Sequence, residues 1–335
     1  MGYRPENVHV QAFRGTTTIG ASSRVVVARN LLLEAELSRI LRAFNEARLE
    51  LIVLKGVPLM HRVYRTMSTR ATGDNDILVR RTDVIRAVAL LTGLGYVGRR
   101  LPTLTTALRT NFQYPLHRQH LGTETVVDLH WHAFEPRLHP VHEHILWENL
   151  EQVRVGALEV PVFNKELTLV HLAAHFAQHQ FRELGILRDF VFAWRRWHGE
   201  LDVIKLIQLA EVTDLSPSVE YALDAAAEHF ELEVELPELR TRRAAIVRRL
   251  MAPKRLFGQS GSTARSSQAL CLLLARPSRA LHHALHVTFP PVESMSQIYD
   301  EPVSPKLMLK YATRPFRPIA RMLGYRSRSP RGTWE

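Results

Sequence analysis

The run Gly73-Asp74-Asn75-Asp76-Ile77-Leu78-Val79 constrains this chain more than any other stretch. Two carboxylates one residue apart open an apolar run of strand length. Side chains along a strand alternate between faces, so Asp74 and Asp76 share one. Like charges on one face repel, and a cation is what ordinarily offsets them. An Asp-x-Asp at a strand start also serves a turn or a nearby helix cap, and for the pair alone both readings stand. A second run, Thr125-Val126-Val127-Asp128-Leu129-His130-Trp131, carries an acid in the middle of another apolar, strand-like segment. If the two strands are neighbours, three carboxylates converge. That arrangement suits Mg²⁺ held against the phosphates of a nucleotide.

The surrounding pattern divides the chain into a mixed half and a helical half. Residues 1–25 show no strong periodicity and read as a mobile N-terminus. Leu33, Leu37, Ile40, Leu41 and Phe44 recur at helical spacing. The β-type run Leu51–Leu54 ends in Lys55-Gly56, and Pro58 suits the first turn of a following helix. Thr82 or Asp83 caps a helix that stops near Gly93 and Gly95. Residues 112–119 and 125–132 form a strand pair turning at Gly122, and Gly156-Ala157 turns a later hairpin. From Lys165 onward the pattern is helical, with segments near 167–181, 184–197, 203–211, 218–230, 239–250 and 266–285, several of them separated by Pro, Gly or Ser clusters. The expected class is α+β, a mixed sheet with flanking helices followed by an all-helical part. The expected divisions are a catalytic domain over 26–164, a helical domain over 165–290 and a basic Pro/Arg-rich extension over 291–335.

Charge and cysteine usage narrow the setting. The chain carries a formal net charge of +11, which suits an anionic partner such as nucleotide, RNA, DNA or an acidic lipid surface. Much of the excess falls late, at Arg240, Arg242, Arg243, Arg248, Arg249, Lys254 and Arg255 and again over 314–331, without interleaved aromatic platforms. These clusters read mainly as solvated helix faces. Cys271 is the only cysteine, which excludes an intrachain disulfide and a cysteine-rich zinc site. No apolar run approaches the roughly 18–20 residues of a membrane span, and the first twenty residues lack the apolar core of a secretory signal. A cytoplasmic setting is expected.

Lys55-Gly56 sits at a strand end before a helix, where glycine admits a phosphate to the backbone and the lysine adds a point charge. A plain strand–helix turn with an exposed lysine reads equally from these residues. Arg70 is placed to meet a phosphate or to pair with an acid. In order, a strand ending in Leu-Lys-Gly, an arginine, Gly-Asp-x-Asp-x-Leu-Val, a helix ending at Leu94-Gly95-Tyr96, and Val-Asp-Leu-His-Trp resemble the uncharacterised nucleotidyltransferase family of the DNA polymerase beta-like superfamily. His171-Leu172-Ala173-Ala174-His175 and Leu187-Arg188-Asp189 resemble that family's helical positions, and the likeness is clear over about residues 30–200.

The resemblance implies that Asp74, Asp76 and Asp128 hold one or two Mg²⁺ ions, with Mn²⁺ as the alternative. It implies attack by an acceptor on the α-phosphate of a nucleoside triphosphate with loss of pyrophosphate. Lys55, Gly56, Arg70, Gly73, His130, His175 and Asp189 are then the expected substrate and phosphate contacts, and a small molecule or peptide the expected acceptor. The Gly-Ser that usually precedes the acid pair in this superfamily is absent, with Lys55-Gly56 further upstream in its place. An RNA-directed enzyme or RNA-binding protein using the basic helical half is the rival reading, and a non-catalytic nucleotide-binding protein is another. His171, His175 and His179, at i, i+4 and i+8, face one way and read as a zinc set, a cleft lining or core histidines. His139, His142 and His144 read as loop residues. His282, His283 and His286 read as solvated, and Trp194 and Trp197 as core.

Overall fold

The computed structural model describes residues 23–98, 103–120, 122–232, 236–253, 272–299 and 303–313, together with 234, 256 and 257. Helix α1 (Ser23–Glu46) turns Leu33, Leu37, Ile40, Leu41 and Phe44 into the core. Strand β1 (Ile52–Val53), helix α2 (Val57–Val63), strand β2 (Asn75–Leu78), helix α3 (Val84–Gly93) and strand β3 (Val97–Gly98) follow. Helix α4 (Leu104–Thr110) leads into a hairpin of β4 (Gln113–His120) and β5 (Thr123–His130), and helix α5 (Glu143–Glu148) into a second hairpin, β6 (Leu150–Val155) and β7 (Leu158–Phe163).

Strands β1 to β5 form one mixed sheet in the order β1-β2-β5-β4-β3. Only β2 and β5 run parallel within it; the other neighbours are antiparallel. The fold is α+β, as the sequence implies. Val127 and Leu129 of β5 are fully buried on one face, so Asp128 and His130 take the other. The β6–β7 hairpin lies against β1.

The helical part opens at Lys165, where the Asn164 side chain caps α6 (Lys165–Gln178) by accepting from the Leu167 N–H at 2.9 Å. Helices α7 (Leu184–Trp197), α8 (Val203–Val212) and α9 (Ser216–Phe230) pack against α6, α10 (Arg242–Leu250) packs against α9, and α11 (Pro277–Thr288), α12 (Val292–Tyr299) and α13 (Pro305–Thr313) follow. One continuous apolar cluster runs from Leu33 through the sheet to Leu274, so both halves share a core. Arg62 of α2 stitches them further, donating to the Phe163 carbonyl and the Thr168 hydroxyl at 3.1 Å each and lying 4.4 Å over the Trp197 ring. Trp194 and Trp197 are core, as expected. No described helix is long and apolar enough to cross a membrane.

Three local expectations change. Asp83 does not cap α3. It sits in a 3₁₀ turn with helical backbone angles and accepts from Arg86 at 2.9 Å instead. The helix expected over 239–250 begins at Arg242, because Pro237–Leu239 form a separate 3₁₀ turn and Thr241 supplies the cap. The helix expected over 266–285 breaks before Pro277: its ring clashes with a helical predecessor, and Arg276 is extended at φ −62°, ψ 137°. Residues 266–271 of that segment lie outside the described residues, as do 258–265, 1–22 and the basic stretch 314–335. Ser23–Val25, counted with the expected mobile terminus, open α1.

Five of the described late arginines have acid partners, while Arg242 and Arg249 are exposed. Arg240 and Arg248 pair with Glu220 and Asp224, while Arg243, Arg276 and Arg279 surround Asp214 at 2.6, 3.2 and 3.3 Å. Such pairs leave fewer free charges for a polyanion than the composition suggests.

Candidate active site

Strand pairing itself brings Asp76 and Asp128 together. In the parallel register Asp76 stands opposite Asp128 and Leu78 opposite His130. Asn75 turns toward α1, its Nδ2 donating to the Leu33 carbonyl at 3.2 Å, so Asp76 turns to the opposite face. Ligand atoms of Asp76, Asp128 and His130 all lie within 4.8 Å of one another, the one such grouping among the described residues. His130 Nε2 is 3.2 Å from Asp76 Oδ1.

Asp74 stands outside that set. It precedes β2, its side chain is 33% exposed, and it reaches the others through Lys55. The Lys55 ammonium lies 2.5 Å from Asp76 Oδ2 and 3.5 Å from Asp74 Oδ1. Gly56 makes this approach feasible: its φ is +80°, and a Cβ there would meet the Asp74 carbonyl oxygen at 3.2 Å. Only glycine adopts that backbone cheaply so near another strand. Gly73 has no such steric demand, and its carbonyl accepts from Arg29 at 2.8 Å.

The local electrostatics are unbalanced. Burial disfavours charge on every acid here. At Asp76 the Lys55 charge and the His130 hydrogen bond outweigh burial and hold the carboxyl well below its usual range. At Asp74 burial and the Asp76 charge push the carboxyl up. Burial first, and then Asp76, push Asp128 up to about 6. Burial also disfavours the charged Lys55, but Asp76 and Asp74 override it and raise its ammonium. Three carboxyls therefore face one ammonium and one imidazole. Asp76 Oδ2 has Lys55 as its sole partner among the described residues, and His130 Nδ1 is buried with no hydrogen-bond partner. Two carboxylates and an imidazole at this spacing fit a divalent cation of the Mg²⁺ or Mn²⁺ kind.

Arg70 and Asp189, each expected to meet substrate, meet one another. Arg70 Nε lies 2.9 Å from both carboxylate oxygens and its Nη2 2.8 Å from Oδ2, while the Tyr64 hydroxyl donates to Oδ1. Helix α7 is thereby joined to the loop before β2. The same loop is held by Asn30 of α1, whose Nδ2 donates to the Met67 and Arg70 carbonyls at 2.6 and 2.7 Å and whose Oδ1 accepts from the Thr72 N–H at 3.0 Å. The sequence reading passed over Asn30, although an amide inside an apolar helical stripe was the available signal.

His171 and His175 of α6 and His179 at its C-terminal cap form a row rather than a metal set. His171 and His175 stack with ring centroids 6.2 Å apart, and His179 packs edge-on against His175 at 4.4 Å. Asp76, Lys55 and His130 all act electrostatically on His171, so this face borders the acids. His175 is half-buried beside it. His283 of α11 is only 20% exposed, lying 3.9 Å from Glu135, rather than solvated as expected. His139 is in a loop, as expected, but half-buried beside Asp214.

None of the curated proteins and none of the solved structures matches the chain. A family profile does, over residues 17–231, which include every side chain of the acid cluster. The chain belongs to the family described as uncharacterised nucleotidyltransferase.

Proposed function

We propose that this protein is a divalent-metal-dependent nucleotidyltransferase that moves a nucleotidyl group from a nucleoside triphosphate to a small-molecule or peptide acceptor. Family membership supports nucleotidyl transfer in general. The observation that carries the finer reading is the convergence of Asp76, Asp128 and His130 within 4.8 Å beside a buried lysine. Asp76, Asp128 and His130 would hold the cation, Mg²⁺ or Mn²⁺, with Asp74 at the rim. When bound, the cation neutralises the triphosphate and polarises the α-phosphate.

The chain's own groups account for the remaining steps. Lys55, released from Asp76 once that charge is shared, turns its ammonium to a phosphate oxygen. Asp128 takes the proton of the acceptor hydroxyl. The acceptor oxygen then bonds to the α-phosphorus, the bond to the β-phosphate oxygen breaks, and pyrophosphate leaves with the electron pair. His175 lines the acceptor side, and Arg70 with Asp189 fixes the loop that carries Asp74. An RNA acceptor is the weaker reading, because most of the described late arginines, Arg240, Arg243, Arg248, Arg276 and Arg279, pair with acids.

The decisive measurement is pyrophosphate release with Mg²⁺ or Mn²⁺, each nucleoside triphosphate and candidate acceptors. Asp128→Asn is expected to lower turnover by about 10³-fold or more, roughly 4 kcal/mol of barrier. Full turnover in that variant would overturn the assignment.

A further inference from the structure

No residue of α11 is buried. Its inward side is set by Arg279, which reaches Asp214 at 3.3 Å, and by His283, 3.9 Å from Glu135. Leu281 sits two residues from each, about 200° round the helix, so it points away from the protein. Leu285 repeats that placement one turn on, and Phe289 continues the line just past the helix end. Leu281 is 61% exposed and Leu285 50%, and Phe289 is exposed as well.

The stripe runs on into α13. The Phe289 ring centroid lies 6.0 Å from that of Tyr311. Met308, one turn before Tyr311 on the same side, is exposed, and so is Leu309, about 200° round from the buried Leu307. Exposed apolar residues scattered singly are ordinary, but a line of them joined across two helices marks a contact surface.

Charge says what covers it. From Val303 to Arg331 the chain carries two lysines and six arginines and no acid. Lys306 and Lys310 lie on α13, and Arg314, Arg317 and Arg321 follow in sequence among Phe316, Ile319 and Met322. Apolar side chains beside basic ones, with no acid between, match the surface of an anionic bilayer. The acyl boundary takes the first and headgroup phosphates the second. A second copy would set the same positive charge against itself. Single-stranded RNA would meet aliphatic leucines where it needs stacking faces.

We propose that α11 and α13, with the basic stretch after them, form a docking surface for an anionic lipid bilayer. The helices lie along the headgroup layer, and Leu281, Leu285, Phe289 and Met308 enter the acyl boundary. This inference is independent of nucleotidyl transfer.

Vesicle co-sedimentation of the full chain tests it, with phosphatidylcholine alone and with phosphatidylcholine and phosphatidylglycerol in equal parts. The mixed vesicles should bind about tenfold more tightly or better, because each basic residue near the surface adds to the attraction. Raised salt should weaken that binding. Leu281→Gln with Leu285→Gln leaves the charge unchanged and should weaken it about tenfold. Arg314→Gln, Arg317→Gln and Arg321→Gln together should do the same from the charge side. Ile204→Gln, at an exposed apolar residue of α8, should leave it unchanged. Melting temperatures should match the parent's in every variant. No binding to the mixed vesicles, equal binding to phosphatidylcholine alone, or undiminished binding in the leucine variant overturns the proposal. Three further results also overturn it when vesicles are not bound. A dimer in ultracentrifugation that the leucine variant separates assigns the stripe to a second copy. A melting temperature lowered in that variant assigns it to the chain's own packing. Retention of polyuridylate assigns the basic stretch to RNA.

Discussion

Two buried ionic groups lie along the same loop and β2, and they are built on opposite plans. At Arg70, Asp189 and Tyr64 every carboxylate oxygen has a donor, and the guanidinium reaches both oxygens. At the sheet edge Asp74, Asp76 and Asp128 share one ammonium and one imidazole, leaving Asp128 pushed up to about 6 by burial and by its neighbour. A satisfied pair in the interior specifies geometry. An unsatisfied one persists only where something else, such as a ligand, completes it. The first group reads as a clamp holding α7 to the loop before β2, and the second as a cluster whose charge a bound cation would balance.

The sharpest way to break this contrast is to open the clamp. Asp189→Ala leaves the Arg70 guanidinium buried without its counter-charge and should destabilise the fold by about 3–5 kcal/mol. Thermal melts and denaturant titrations measure it. The added stabilisation by Mn²⁺ should survive, because no ligand atom of the Asp76 cluster is altered. Should Asp189→Ala instead abolish metal stabilisation in a protein that still folds, Asp189 belongs to the site and the contrast fails.

The complementary test supplies the missing charge. Mn²⁺ or Mg²⁺ at a hundred times its dissociation constant should raise stability by about 2.7 kcal/mol, through binding the native state alone. For a chain of this size that is a shift of several degrees in melting temperature. Asp76→Asn should lose the shift, whereas an Arg248→Gln variant at the distant Glu220–Asp224 pair should keep it. A shift that is the same in Asp76→Asn would mean that the ion binds elsewhere.

What the sequence made legible follows from distance along the chain. The acid strands could be read because alternation and i, i+2 spacing are local, and β5 carries Asp128 and His130 on one face as that spacing requires. The hairpin turn at Gly156 was legible for the same reason. Arg70 and Asp189 are 119 residues apart, so nothing local could pair them, although an acid inside the buried stripe of Leu187 and Phe190 already demanded a partner. His139 and His283 come from a loop and a late helix, and only tertiary packing unites them over one cavity. Asp74 illustrates the limit of spacing. It shares a face with Asp76 by alternation, yet β2 begins only at Asn75, and the grouping close enough to hold a cation takes in His130 and not Asp74.

The finest test exploits the cost of an uncompensated acid. The Asp128 carboxyl is raised from 3.8 to about 6 in the folded protein, so its protonated form is the one that folding favours. The stability tied to that proton is fully present below about pH 4 and is lost as pH rises through about 6. Asp128→Asn mimics the protonated form, so it should match the parent's stability at pH 4 and exceed it at pH 8. A displacement of about two pH units corresponds to about 3 kcal/mol in full, and solvent screening at a half-buried carboxyl reduces that to about 1–2 kcal/mol. Metal-free denaturant titrations of both proteins at pH 4 and pH 8 measure the difference. Saturating Mn²⁺ should reverse its sign at pH 8, because the ion stabilises only the protein that still holds the carboxylate. A variant less stable than its parent at pH 8 without metal would show that Asp128 is already satisfied, and would put the sheet edge in the same class as the clamp.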